Sequence, residues 1–394
     1  MQIDKQTYML TDKGRFEKIA LYLGIIGLVL SAIGAFIDSR QFFHSYLVAF
    51  VFWVTIGAGG LFLTMMHYLV NAKWTVVLRR FAEAAAWTLP FMAVFFLPVL
   101  LGMHDLYHWS HKDAVAADHL LQWKQPFLNM PFFIIRFVIY FGAWFILARL
   151  LNKYSLMQDE AHTADLLKKI RRVSAPGMIL FALTFTFASF DWLMSLDAHW
   201  YSTIFGVYIY SGAVVGFLTF LTMLVIYFRK KNILTNEITV EHYHDLGKLT
   251  FAFVVFWGYM AFSQYFLIWY ANIPEETIWF RHRWVGSWKT VSLLLVFGHF
   301  VIPFFILITR SVKRRLTFLK VMMGWIFIMH YVDLYWVVMP SLHHHGVHIS
   351  WLDFTAMFGI GGIFCWLFFR RLAAHPLIPQ NDPKLEESIN LVSE

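Results

Sequence analysis

Several ionisable side chains of this sequence lie inside long apolar stretches, where a charge is costly. Placing one at the centre of a membrane helix costs about 2.5–3.5 kcal/mol on insertion scales, so such residues face other polar groups and are functional candidates. Five lie toward one end of the stretches, two toward the other end and one near the middle. They are, in that order, Arg136, Asp191, His330, Asp333 and Asp353; His67 and Glu83; and His299.

Acids and imidazoles at membrane depth support two kinds of chemistry. Chains of them are typical of proton relays in pumps and transporters. They also line quinone headgroup pockets, in which an acid or imidazole accepts the hydroxyl proton as a quinol is oxidised. Both kinds of chemistry belong to energy-converting membranes.

A structural interpretation stands beside the functional one for each candidate. Asp191 would also serve as a helix-end residue bonded to Ser195, and Asp353 and Glu83 lie at helix starts, where a carboxylate favours the helix dipole. His67 and His299 are single histidines on apolar helices, where interhelical links are common.

The deep cation Arg136 needs a counter-charge. Either Asp191 or Asp333 would supply it, and the sequence leaves both pairings open. A buried charge without such a partner would be strongly unfavourable.

No redox centre is expected in this chain. A single cysteine, Cys365, excludes internal disulfides, CxxC zinc sites, thiolate iron–sulfur clusters and c-type haem attachment. Bis-histidine haem needs paired ligands at matching depth, and no apolar stretch carries two deep histidines. The run His343–His345 lacks a carboxylate or thiol frame and is interpreted as an exposed turn.

The elements that must position these residues are membrane helices. The chain is 59% hydrophobic and 14% charged, against about 45–50% and 25% in soluble domains. Continuous apolar runs of about 20 residues predict spanning helices, whereas barrel strands would alternate with period two. The ten predicted spans are Ile19–Ile37, Tyr46–Val70, Ala82–Met103, Pro131–Leu151, Ser174–Leu196, Ile204–Phe228, Leu249–Tyr270, Gly286–Thr309, Phe318–Met339 and Ser350–Phe369.

The distribution of basic residues predicts the orientation. Of 32 Lys and Arg residues, 25 fall on the side of the two termini and six on the other side. Because positive loops stay in the cytoplasm, both termini are expected on the cytoplasmic side of an inner membrane. Anionic lipid headgroups are then the expected contact of these charges, and nucleic acid is not an expected partner.

Spans two to five resemble spans six to nine, which predicts a duplication within one polytopic domain covering residues 1–394. The strings 60–66 and 216–222 are similar, and Asp191 and Asp333 fall at the same depth of spans five and nine. An even number of spans per repeat gives parallel repeats. The expected fold is therefore all-α, with four-helix bundles at 46–196 and 204–339, flanking helices at 19–37 and 350–369, and a cytoplasmic tail at 371–394.

Three long strings carry a family resemblance: FDWLMSLDAHWYSTIFG at 190–206, EHYHDLGKLTFAF at 241–253 and FSQYFLIWYANIPEE at 262–276. Over nearly its whole length the chain resembles the second large membrane subunit (subunit-F type) of alternative complex III, a bacterial quinol:electron acceptor oxidoreductase, within the NrfD/PsrC-like family. The resemblance implies ten helices with two four-helix bundles.

The resemblance also implies partners and a role. Quinol, iron–sulfur clusters and c-type haems are expected on other subunits: an iron–sulfur subunit, c-type cytochromes and a homologous NrfD-like membrane subunit that holds the quinol site. This chain would then support assembly or move protons. Asp191, Asp197 and His199 carry over from the motif, whereas Glu241, His242, His244 and Asp245 match it from an expected cytoplasmic loop.

Two other functions remain open at this stage. A secondary transporter would use the same buried acids, with spans broken at a midplane site. The string Gly57-Ala-Gly-Gly60 is a candidate break, although small residues also serve close helix packing. A purely structural anchor would need none of the acids for turnover.

Overall fold

The computed structural model describes residues 8–10, 14–160 and 164–392, and every regular element in them is a helix. Within these described residues, ten helices are long and apolar enough to cross a membrane. We label them α1 to α10, and their bounds are Phe16–Ile37, Ser39–Leu69, Val76–Leu101, Met130–Glu160, Asp165–Leu196, Phe205–Lys230, Val240–Ala271, Trp288–Leu307, Leu316–Ser341 and Trp351–Ala373. The predicted all-α integral membrane fold is confirmed.

The α2 and α7 helices begin before the apolar stretches that predicted them because polar caps extend them, whereas α8 lies within its predicted stretch. Asp38 accepts a hydrogen bond from the Gln41 amide at the start of α2. The α7 helix begins at a capping box of Thr239 and His242. The motif residues from Glu241 to Asp245 were expected in a loop, and that expectation is wrong: they form the first turns of α7.

Two rings of four helices lie side by side. In the first ring the neighbouring pairs are α2–α3, α3–α4, α4–α5 and α5–α2, and in the second they are α6–α7, α7–α8, α8–α9 and α9–α6. The rings meet through α2 and α6, with α5 on α6 and α9 on α2 beside that seam. The α1 helix packs on α10, which packs on α2.

Close packing at the seam depends on glycine. A Cβ atom on Gly59 would lie 2.4 Å from the Phe217 Cβ and 2.8 Å from the Ala213 carbonyl oxygen of α6, and one on Gly60 would lie 2.7 Å from the Ala85 Cβ of α3. The α2 helix is continuous through these positions. The small residues of this string therefore serve helix packing and do not break the span.

Both ends of the helical body carry shorter helices. We call the end where α1 begins and α10 ends the terminal face, and the other end the loop face. The loop face carries Lys112–Ala117, His119–Lys124 and Pro274–His282. The terminal face carries Arg310–Arg314 and Leu385–Ile389.

Candidate functional site

The central acid of the second ring is Asp333, in the loop-face half of α9. Its side chain is buried, with 2% of the residue exposed. The Tyr208 hydroxyl of α6 donates to Oδ1, and the Trp257 indole of α7 donates to Oδ2 over 3.0 Å. Within residues 8–10, 14–160 and 164–392, no cationic side chain lies within 4.0 Å of this carboxylate.

A cavity of about 780 Å³ opens beside Asp333. Nine of its 23 lining residues are aromatic, so aromatic side chains make up much of its wall. Asp333, Tyr208 and two arginines, Arg281 and Arg283, supply polar groups to this lining. A large, mostly apolar pocket with a few convergent polar groups is the usual form of a small-molecule site.

The shape of α8 makes room for the cavity. The α7 helix packs on the second half of α8, Leu295–Leu307, and has only sparse contacts with Trp288–Leu294, so the two helices separate toward the loop face. The stretch Leu295–Val301 is a π-helix, and several of its side chains line the cavity. Single π-helical segments inside spans are frequent at functional sites.

His299 lies on this π-helical segment. Its ring packs against the Trp257 indole, with centroids 4.0 Å apart and ring planes tilted by 30°, and the residue is fully buried. Neither ring nitrogen has a hydrogen-bond partner in the described part of the chain. Most buried polar groups are bonded, so this unpaired imidazole requires an explanation.

Arg283 closes the loop-face end of the cavity. Its guanidinium donates to the carbonyl oxygens of Trp336 and Val337 at the end of α9 and of Trp279, at 2.7–3.1 Å. It stacks on the Trp279 ring, 3.4 Å from the centroid. Burial lowers the pKa of Arg283 to about 9, partly offset by the negative field of Asp197. The side chain thus caps α9 as a cation.

His330 lies one turn before Asp333 on α9, at the seam between the rings. Its Nε2 forms a 2.9 Å hydrogen bond with the Thr55 hydroxyl of α2, and its Nδ1 has no partner among the described residues. Gly216 of α6 allows this approach, since a Cβ there would lie 2.6 Å from the imidazole. His330 therefore connects the second ring to α2 of the first.

The corresponding acid of the first ring has a different environment. Asp191 on α5 binds Arg136 of α4 through two hydrogen bonds of 2.7 and 2.8 Å, and the Tyr140 hydroxyl donates to it over 2.7 Å. The Arg136 guanidinium also stacks on Phe127 and Phe132. Of the two pairings that the sequence left open, the structure contains Arg136–Asp191.

Asp353 acts at the start of α10. It accepts hydrogen bonds from the Ser350 backbone amide in a capping box and from the Ser45 hydroxyl. A weaker bond comes from the Gln41 side-chain amide at 3.5 Å. The residue connects the helix start to α2. Its geometry agrees with the structural interpretation of a helix-start carboxylate.

Glu83 and His67 belong to an ion cluster at the terminal face. The Glu83 carboxylate contacts Arg79 at 3.2 Å and Arg80 at 2.9 Å. His67 contacts the Thr75 hydroxyl at 2.5 Å and Arg79 at 3.2 Å. The sequence placed both arginines in a loop, which is wrong: they lie buried within α3.

The C-terminal segment completes this cluster. Asp382 forms a 2.6 Å ion pair with Arg79, and the Asp159 carboxylate pairs with Arg80. Burial alone would raise the pKa of Asp382, but Arg79 outweighs it and holds that pKa below the usual 3.8. Leu377, Ile378 and Leu385 are buried nearby, so the tail packs on the helical body.

The two motif residues of the link after α5 lie near the surface of the loop face. His199 Nε2 forms a 2.6 Å contact with the Asp118 carboxylate, and this hydrogen bond lowers the pKa of Asp118. Asp197 is half-buried in the same link. Neither residue is brought to the Asp333 cavity.

Sequence reasoning missed the neutral donors of Asp333 and the role of Arg283. Tyr208 and Trp257 are ordinary residues of apolar spans, and only packing shows which tyrosine or tryptophan meets the acid. The sequence held one indication that Arg283 has a role, namely the string Arg281-His-Arg-Trp284 in a loop rich in tryptophan. Its two arginines differ, because Arg283 is buried and Arg281 is exposed.

Neither metal binding nor similarity to known proteins assigns a function to this site. In the residues that the structure describes, no three His, Cys, Asp or Glu side chains form a group able to hold a metal ion. No protein-family model matches the chain, and no curated protein matches it.

Proposed function

We propose that this chain is a membrane subunit of a bacterial respiratory quinol:electron acceptor oxidoreductase of the NrfD/PsrC-like kind, and that it carries protons during quinol oxidation without holding a redox centre. The three sequence strings that carry the resemblance support the assignment. The contrast between the two ring acids supports the proton-carrying role, and it is the observation on which this proposal depends.

That contrast concerns what holds each carboxylate. Arg136 fixes the charge of Asp191 through a bidentate ion pair, so protonating Asp191 would leave a buried cation unpaired. Asp333 is held only by hydroxyl and indole donors in the described region. It can take up and release a proton without leaving an opposite charge behind.

Two imidazoles extend this site within the membrane. His330 lies one turn from Asp333, and His299 packs against Trp257, which itself donates to Asp333. Asp, Glu and His residues grouped inside spans are typical of proton relays. In the proposed complex, electrons pass to iron–sulfur and c-type cytochrome subunits, and a homologous membrane subunit lies alongside this chain.

The test is made on the purified complex in proteoliposomes, with the rate of quinol oxidation and the protons released per quinol as readouts. Asp333→Asn is expected to slow turnover or lower the proton yield while the complex stays assembled. Asp353→Asn is the matched control, since it changes a buried acid whose bonds cap α10. Normal coupled turnover in Asp333→Asn would overturn the proton-carrying role.

A secondary transporter is the second candidate, and the π-helical segment of α8 beside a cavity favours it. Irregular spans at a midplane site are common in such proteins. Purification in mild detergent separates the two functions. Haem-containing partners that co-purify support the redox complex, whereas a colourless single chain supports the transporter.

The proposed location is the inner membrane, with both termini in the cytoplasm. It is tested with the variants Lys112→Cys on the loop face and Lys320→Cys near the terminal face, each in a Cys365→Ser background. Intact spheroplasts that carry either variant are treated with a membrane-impermeant maleimide. Labelling at position 112 alone is expected. Labelling at position 320 alone would reverse the orientation.

A further inference from the structure

The cavity beside Asp333 is a long groove between α7 and α8, with a volume of about 780 Å³. Its wall on α7 is one face of that helix from Trp257 to Trp269, which is about 18 Å of helix at about 1.5 Å per residue. One leaflet of hydrocarbon is half of a bilayer core of about 30 Å. The groove therefore extends from the loop-face end of the spans through the depth of one leaflet.

The groove is open to the side of the helical body. Phe262 and Trp269 on α7 and Val296 on α8 line it, and each of these residues is more than half exposed. They lie on spans, so their exposed surface faces hydrocarbon. A molecule of the bilayer can therefore enter the groove sideways, where α7 and α8 separate.

The acid Asp333 lies in the inner wall of the groove but presents almost no surface to it. The residue is 2% exposed, and both of its carboxylate oxygens already accept hydrogen bonds, from Tyr208 and Trp257. The accessible surface along the groove belongs mainly to apolar and aromatic side chains. This part of the groove is therefore suited to a hydrocarbon chain.

The loop-face end of the groove carries cations. Arg283 and Arg281 line it, and the amine of Lys289 lies 5.5 Å from the ring centroid of Trp284, another lining residue. Arg281 ends the short helix Pro274–His282 and is exposed. Among the residues that the structure describes, no hydrogen bond or ion pair engages its guanidinium.

This concentration of positive charge is unusual for the loop face. Arg281, Arg283 and Lys289 are three of the six basic residues on that side of the chain, which is otherwise poor in positive charge. The field of Asp197 acts on Arg283 and offsets part of their charge. An excess of positive charge remains where the groove meets the membrane interface.

We propose that the groove binds an anionic phospholipid of the loop-face leaflet, with its phosphate beside Arg281 and Lys289 and one acyl chain lying between α7 and α8. Basic pockets between spans bind anionic headgroups in this way. Arginine is well suited to phosphate, since its guanidinium donates two parallel hydrogen bonds. The chain fills the space that the separation of the two helices leaves.

The two ends of the groove together favour a phospholipid over simpler ligands. A free phosphate ion would occupy the cationic end and leave the apolar walls uncovered. A neutral amphiphile would cover the walls and leave Arg281 without a counter-charge. A molecule that joins a phosphate to an acyl chain satisfies both ends, and it is abundant in the bilayer that surrounds the groove.

The test uses phosphatidylglycerol that carries a photoreactive diazirine on one acyl chain. The protein is purified in mild detergent, with the partners that remain bound to it, and is delipidated before the probe is added and irradiated. Peptide mapping then locates the label. We expect it on peptides of α7 or α8 that contain residues of the groove wall, where a free phosphate ion leaves no mark.

The headgroup contact is tested with exposed cations, whose replacement leaves the fold intact. The double variant Arg281→Gln, Lys289→Gln should raise the probe concentration for half-labelling about 25-fold, at about five-fold for each cation near the membrane surface. The matched control is the double variant Arg40→Gln, Lys112→Gln. It removes two other loop-face cations that do not line the groove, and it should leave labelling unchanged.

The chain contact is tested by filling the groove. Ala261→Phe adds a ring to its α7 wall and should abolish the label. Gly142→Phe adds a ring on α4, where a Cβ meets nothing within 4 Å, and should not change it.

Three results would overturn the inference. The first is a protein whose α7 and α8 take no label, and the second is equal labelling by phosphatidylcholine with the same diazirine chain. The third is an equal effect of the two double variants. The inference does not depend on the proposed function, because binding is measured without turnover, so its failure leaves the proton-carrying role of Asp333 untouched.

Discussion

The Tyr208 phenol on α6 donates a hydrogen bond to the Asp333 carboxylate on α9, so a neutral side chain holds the central acid of the second ring. This bond joins two neighbouring helices of the ring, the helix at the seam and the helix that carries the acid. Hydrogen bonds to charged groups contribute about 1.5–3 kcal/mol to stability. The energetic role of Tyr208 can therefore be measured separately from the proposed proton transfer at Asp333.

Replacing Tyr208 by phenylalanine should destabilise the protein by about 1.5–3 kcal/mol, because the buried carboxylate loses a donor. Reversible unfolding in mixed micelles measures this change. Difference infrared spectroscopy should also show the C=O stretch of protonated Asp333 at higher frequency. Tyr210→Phe is the control, since no hydrogen bond joins the Tyr210 hydroxyl to Asp333. Equal effects of the two variants would contradict a specific bond.

Removing Arg136 should be among the most destabilising single changes in the first ring. Arg136→Leu leaves the Asp191 carboxylate buried with only Tyr140, at an expected loss of about 3–5 kcal/mol. The double variant Arg136→Leu, Asp191→Leu should recover most of that loss, because it leaves no unpaired charge. Thermal unfolding in detergent gives the comparison. A double variant as unstable as the single one would mean that the pair itself stabilises the fold.

The packing of the tail on the terminal face should depend on pH through Asp382. Its folded-state pKa lies below the usual 3.8, so its ion pair with Arg79 stabilises the docked tail above pH 4 and is lost as the pH falls through the lower, folded-state value. Hydrogen exchange of the segment 375–392 should therefore be slow at pH 7 and accelerate, relative to the intrinsic rate, only below about pH 4.

The variant Asp382→Asn should expose the same segment at pH 7 and remove the acid-dependent step. Glu387→Gln is the matched control, because its ion pair with Lys73 joins two side chains that are each more than half exposed. A tail that stays protected in Asp382→Asn would show that apolar burial of Leu377 and Ile378 holds it without the ion pair.

A large residue at position 59 should separate the two rings. Gly59→Leu would place a side chain against Phe217 and Ala213 of α6, and overpacking of this kind costs about 1–3 kcal/mol. Gly142→Leu adds the same volume on α4, where a Cβ meets no atom within 4 Å. Comparing the midpoint temperatures of unfolding tests the seam. Similar losses in both variants would argue against a specific contact between α2 and α6.

The sequence by itself determined the class of fold and the number of spans. Stretches of about 20 apolar residues must form helices in hydrocarbon, because only an internally bonded backbone avoids unsatisfied polar groups there. The same physics required a counter-charge for Arg136, although it did not choose between Asp191 and Asp333. The ends of the helices were less accurate, since capping residues such as Asp38 extend a helix beyond its apolar stretch.

Only the tertiary structure decided which acid is paired and which is not. Asp191 and Asp333 occupy similar positions in their spans, but the Arg136 side chain on α4 reaches the first and not the second. The cavity depends on the separation of α7 from the first half of α8, and the hydrophobic periodicity of the sequence does not predict that separation. Likewise, Asp382 meets Arg79 across 303 positions of the sequence. Hydropathy reports how each segment meets its solvent, whereas these pairings are set by the packing of helices against one another.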